Sequence, residues 1–117
     1  MTETDMTPEA VVQGQLDAYN ARNLQAFIAF YSEEIKLYRV PSTEPAIEGK
    51  AAFAAFYGEQ RFTLPALHAA LVNRIVVGNK VIDHERITGV RDVPFDVAVG
   101  YEVVDGLIRS MWSFPAE

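Results

Sequence analysis

The chain has no cysteine, which excludes disulfides and thiol chemistry. It has no uninterrupted apolar run of bilayer length, so no transmembrane helix is expected. Basic residues are few: ten Lys and Arg stand against sixteen Asp and Glu, for a net charge of −6. That balance argues against nucleic acid and against anionic membrane surfaces, both of which need basic patches. No glycine-rich loop follows a strand pattern, so nothing points to phosphate, flavin or nicotinamide, and haem has no support either. No cofactor is expected. The N-terminal Met1-Thr2-Glu3-Thr4-Asp5 is acidic and polar, unlike a signal peptide, and the expected location is cytoplasmic.

What remains is ample for one core. Half of the 117 residues are hydrophobic and 11% are aromatic, which predicts a single domain over residues 1–117, frayed at 1–6. One stretch stands out, Val81-Ile82-Asp83-His84-Glu85-Arg86-Ile87-Thr88-Gly89. It reads as a β-strand, yet it carries four ionisable residues in a row. Alternation sends Asp83 and Glu85 to one face and His84 and Arg86 to the other. A carboxylate pair facing the interior of a small domain is costly unless it is paired or used. This strand is therefore expected to line a pocket for a small molecule.

The N-terminal third reads as a helical hairpin. Thr7-Pro8-Glu9 is a helix start, with Thr7 as N-cap, and Val12, Leu16 and Tyr19 continue one apolar face to about Ala21. Asn23 can cap a second helix in which Leu24, Phe27, Ile28 and Tyr31 fall at helical spacing. Ile35 to Val40 alternates as a strand, and Ala46-Ile47-Glu48 suits a short edge strand. Gly49 opens a third helix with Phe53, Phe56 and Tyr57 on one face, fading near Thr63 ahead of Pro65. Glu33 and Glu34 read as a solvated turn.

The remainder reads as β. Leu67 to Val77 and Val81 to Thr88 flank a Gly78-Asn79 turn, and Phe95 to Val104 and Leu107 to Phe114 flank Asp105-Gly106. Counting back from the second turn pairs Val103 with Ile108, Glu102 with Arg109, Tyr101 with Ser110, Val99 with Trp112 and Val97 with Phe114. That count predicts a core face containing Tyr101, Val99 and Trp112. The same count on the first hairpin pairs Val76 with Val81, Arg74 with Asp83 and Val72 with Glu85, and leaves the inner face open. Helices first and a strand meander after predict an α+β fold, a cone in which a curved antiparallel sheet wraps three N-terminal helices around an internal pocket.

Several stretches carry a family resemblance: Val11-Val12-Gln13 running to Tyr19-Asn20-Ala21, Phe30-Tyr31-Ser32-Glu33-Glu34, Glu48-Gly49-Lys50 before Phe56-Tyr57, and the closing Asp105-Gly106-Leu107-Ile108. Together they resemble the nuclear transport factor 2 superfamily, and within it the SnoaL-like and ketosteroid-isomerase-like branch. The resemblance implies a cone-shaped domain with a deep apolar pocket, and a homodimer through the outer sheet face. It implies activities that range from steroid isomerisation and polyketide cyclisation to hydration, ring opening and plain binding. The isomerase's tyrosine, aspartate base and protonated aspartic acid fall on Gln15, Arg39 and Val99, so the usual isomerase residues are absent. Its pocket aromatics fall on Phe56 and Tyr57. Its pocket-facing strand positions fall on Val81, Asp83, Glu85 and Ile87.

Asp83 and Glu85 are the candidate catalytic residues. On one strand face their side chains lie about 7 Å apart. In an apolar pocket such a pair drives one pKa upward and supplies a base and an acid. Arg39 can orient them or hold an anion or carbonyl. The acid–arginine–acid set is similar to that of limonene-epoxide-hydrolase relatives. The alternative is structural, with Asp83 paired to Arg74 and Glu85 to Arg39 as register-fixing ion pairs. Tyr19, Tyr57, Tyr101 and Trp112 are candidate ligand-binding residues, against a reading as plain core. His84 and His68 are the only histidines, and His84 points away from the two acids, so no metal site is expected. Two functions follow: an isomerase, cyclase or hydrolase acting by acid–base chemistry on an apolar oxygenated small molecule, or a non-catalytic binding or dimeric interaction module.

Overall fold

The computed structural model describes residues 6–115. The expected fraying of 1–6 falls, for residues 1–5, outside the described residues. Helix α1, Pro8–Asn20, starts where Thr7 Oγ1 accepts the Ala10 amide at 3.1 Å, which satisfies a donor that the first turn leaves without a partner. It buries Val11, Val12, Gln15, Leu16 and Ala18. Asn23 caps α2, Leu24–Ile28, in the same way through the Ala26 amide at 3.1 Å.

Here one expectation is corrected. The helical spacing that included Tyr31 ends at Ile28, and Tyr31 instead opens strand β1, Tyr31–Arg39. The Ile108 amide donates to Phe30 O at 2.9 Å and Tyr31 pairs with Ile108. Sheet pairing thus captures residues whose local pattern is equally compatible with helix. Glu33 and Glu34 are exposed strand residues, not a turn. Strand β2, Pro45–Glu48, and helix α3, Lys50–Gln60, follow, with Gly49 at φ +92° between them.

Strands β3, His68–Val77, β4, Lys80–Thr88, β5, Phe95–Val104, and β6, Leu107–Pro115, complete a six-stranded sheet in the order β2-β1-β6-β5-β4-β3. The sheet is mixed and unclosed, because β1 and β6 run parallel while the other neighbours are antiparallel. The fold class is α+β, and the all-antiparallel expectation is corrected at this one pair.

Both hairpins start in the counted register and then slip. Arg74 faces Asp83, but an irregularity between Leu71 and Asn73 puts Leu71, not Val72, opposite Glu85. On β6, Val103 faces Ile108 while Glu102 faces Ser110, so Arg109 is an extra residue. A bulge of this kind reverses every later side chain. Tyr101 therefore faces Met111, Gly100 faces Trp112 and Val99 faces Ser113. Met111 is buried, whereas Trp112 lies on the outer face, stacked on Tyr38 at 6.1 Å between ring centres. The expected inward Trp112 is thereby corrected. Glu102 and Arg109 still meet, at 3.5 Å.

The inner face of β4 carries Val81, Asp83, Glu85 and Ile87, all buried beneath the helices. Phe27, Tyr31, Phe53 and Tyr57 form an aromatic cluster between the helices and β1, with neighbouring rings 4.4 to 5.8 Å apart. Among the described residues no helix is long and apolar enough to cross a membrane.

Candidate functional site

Between α1, α3 and the concave side of the sheet lies a cavity of about 140 Å³. Its polar wall is built by Glu85 from β4, Tyr101 from β5, Tyr19 and Gln15 from α1, and Tyr57 from α3, with Arg39 and Arg61 also lining it. Leu37, Ile87, Val97, Val99 and Met111 supply apolar wall.

Glu85 is 6% exposed, and its Oε2 has no hydrogen-bond partner. Burial, and then the neighbouring Asp83 charge, push its pKa from 4.5 to about 7, against smaller opposite pulls from Arg74 and the Tyr101 hydroxyl. A carboxyl group so placed is shared between its acid and base forms near neutrality.

Asp83, two residues away, is fully buried and held differently. Arg74 grips it with both arms, Nε to Oδ1 at 2.7 Å and Nη2 to Oδ2 at 2.9 Å. Arg74 is itself steadied by Gln13 Oε1 at 3.0 Å and by Glu9 at 3.9 Å. Asp83 does not reach the cavity wall. The structure thus contains the Arg74–Asp83 pair, but no ion pair between Glu85 and Arg39.

A chain of hydrogen bonds joins Tyr31, Gln15 and Tyr101 beside Glu85. The Tyr31 hydroxyl donates to Gln15 Oε1 at 2.6 Å, and Gln15 Nε2 donates to the Tyr101 hydroxyl oxygen at 3.3 Å. With its oxygen accepting from Gln15, the Tyr101 hydroxyl keeps its hydrogen to donate, and Glu85 shares the cavity wall with it. Burial raises Tyr19 to about 12 and pushes Tyr57 and Tyr101 upward. These phenols therefore stay protonated and act as donors at neutral pH.

The sequence-derived candidates are placed as follows. Glu85, Tyr19, Arg39, Tyr57 and Tyr101 meet at the cavity, Asp83 sits behind its wall, and Trp112 is on the opposite side of the sheet. The three positions of the isomerase's catalytic groups, Gln15, Arg39 and Val99, all line the cavity. Gln15, which stands where the isomerase has its tyrosine, links two tyrosines, Tyr31 and Tyr101. Arg61 is a site residue that sequence reasoning misses; its one clue is its place four residues after Tyr57, at the C-cap of α3. Met111 was hidden by the bulge. On the outer face, His84 Nε2 and Arg86 Nε hold Asp96 at 2.7 and 2.9 Å. These two contacts, with Arg86 first, lower Asp96 to about 2. His68 is exposed at the start of β3. Among the described residues no three ligating side chains converge as a metal site.

Residues 12–111 match the SnoaL-like domain. No curated protein matches the chain. Among solved structures, an uncharacterized cystatin-fold protein from Novosphingobium aromaticivorans superposes with a TM-score of 0.84 at 19% identity, over 93% of this chain and 98% of that one. A Kribbella flavida protein with suspected ketosteroid isomerase activity gives 0.82 at 23% identity, over 94% and 78%. A SnoaL-like protein of unknown function from Burkholderia thailandensis gives 0.77 at 19%, over 94% of each chain. At these identities the likeness establishes the shared fold.

Proposed function

We propose a function from one premise: the chain belongs to the SnoaL-like domain family. Its cavity takes up an apolar, oxygenated small molecule and moves a proton on it, as an isomerase, cyclase or hydrolase would, with Glu85 as the group that takes and returns the proton. The observation that supports this is the unpartnered Glu85 Oε2 at the wall of the cavity. A buried polar atom without a partner is costly, and a ligand C–H, O–H or bound water is a partner that would use it. Tyr57 and Tyr19, held protonated by burial, are donors for the oxygen on which negative charge develops. Asp83 contributes indirectly, since its charge helps to raise Glu85.

Turnover by the wild type and by Glu85→Gln, measured on a panel of unsaturated ketones, diketones and epoxides, tests this. Loss of about 10²-fold or more with Glu85→Gln is expected. Equal turnover by both proteins would remove Glu85 from the chemistry. An independent reading is the ¹³C NMR titration of the Glu85 carboxyl, expected at a midpoint near 7.

A second reading, an interaction module, draws on the convex face of the sheet. Ile75, Val77, Ile82 and Phe114 are exposed there, beside a groove that also holds His84 and Asp96. Exposed apolar patches mark contact surfaces, and a second copy of the chain is the proposed partner. Light scattering on Ile75→Lys, Ile82→Lys is expected to give a monomer where the wild type gives a dimer.

A further inference from the structure

The cavity mouth holds two cations in a protein with a net charge of −6. Arg39 ends β1 and Arg61 caps the C-terminus of α3. Both line the cavity, and both lie against the ring of Phe56, at 5.5 and 5.2 Å from its centre. The ring therefore gathers two guanidiniums from separate elements at one place. Arg74, Arg86 and Arg109 each hold a carboxylate. Among the described residues neither Arg39 nor Arg61 does so. Among the described residues the Arg61 side chain donates only to its neighbour's carbonyl, Gln60 O at 3.1 Å. The Tyr57 hydroxyl, on the same cavity wall, feels the charges of Arg61, Glu85 and Arg39. The cations and the acid thus address one space.

Two unpaired guanidiniums against a shared aromatic floor match an anion that accepts planar, two-pronged hydrogen bonds. The space behind them limits the rest of the molecule. The cavity measures about 140 Å³, and an apolar cavity of about 150 Å³ takes up one benzene. We infer that Arg39 and Arg61 form a carboxylate clamp at the mouth, and that the ligand is a carboxylic acid whose apolar body is about one six-membered ring in size. The inference rests on the reading that the Glu85 cavity is where the ligand sits. The clamp would hold the carboxylate outward and present the ring carbons to Glu85, away from its own charge.

Calorimetric titration with benzoate and with benzamide, which has the same ring but no charge, tests it. The expected result is that benzoate binds at least about tenfold more tightly than benzamide, and more weakly as salt is raised. Arg39→Gln, Arg61→Gln should bring benzoate down to the benzamide level and leave benzamide unchanged. Glu85→Gln should keep or strengthen benzoate binding, because it removes a competing negative charge. Benzoate binding no better than benzamide, neither probe binding, or full benzoate affinity in the double variant would each overturn the clamp. If the double variant does not fold, the wild-type ratio and its salt dependence decide alone. Glu85's titration and its effect on turnover are read without either probe, so a failed clamp leaves the proton-transfer reading standing or falling by itself.

Discussion

The inner face of β4 carries two carboxylates at neighbouring inward positions, and the regions around them are built in opposite ways. Around Asp83 the fold supplies everything a buried anion needs: a forked arginine, and an α1 glutamine and glutamate behind that arginine. Around Glu85 it supplies a tyrosine and a hollow. Burial is nearly the same for both, so burial alone does not decide what an inward acid does. The counter-charge decides. An anion whose partner comes from the adjacent strand becomes part of the sheet's register, and one left short of partners becomes available to a ligand.

The largest effect expected on this contrast comes from Arg74→Met. It strips Asp83 of its partner, and chemical denaturation should show a loss of about 3–5 kcal/mol. Adding Asp83→Leu should recover most of that loss, because an apolar pair has no buried charge to compensate. Recovery confined to a few tenths would mean that the pair does more than neutralise itself.

Glu85→Gln should act in the other direction and depend on pH. The folded-state pKa of Glu85 lies above its unfolded value, so the folded protein holds the proton more tightly. The wild type therefore loses stability as pH rises from about 4.5 to about 7. Glutamine has no such loss. The variant should match the wild type near pH 4 and exceed it above pH 7 by on the order of 3 kcal/mol. A difference that does not change between these pH values would contradict the raised pKa.

The smallest contrast concerns the two sides of β6. Met111→Ala should cost about 2 kcal/mol, as a large-to-small change in a core does. Trp112→Ala, on the outer face, should cost less than about 1 kcal/mol. A larger loss for Trp112 would put the register in question.

Much of this arrangement is legible in the residues. The Thr7-Pro8 start, the Gly78-Asn79 and Asp105-Gly106 turns and the Arg74–Asp83 pairing rest on local chemistry and on counting from a turn. The departures share a cause. Tyr31 is taken by a strand that arrives from the far end of the chain, and the parallel β1–β6 pairing comes with it. The slips at Val72 and Arg109 arise within strands, at residues that carry no glycine or proline to announce them. Counting from a turn holds only as far as the first bulge. The site suffered accordingly: Glu85 and Tyr101 lie on strands that alternate without fault at those positions, Trp112 and Met111 lie beyond a slip, and Arg61 lies past the last turn of a helix.

The extra residue at Arg109 makes the lining of the hollow depend on a single codon. Deleting it would restore an unbroken pairing and turn the remainder of β6 over, exchanging a thioether for an indole inside. The only tryptophan of the protein would report the exchange by a blue-shifted emission, and an unshifted spectrum would show that the strand had kept its bulge by other means. Such a one-residue hitch gives the fold a short genetic route from one pocket to another.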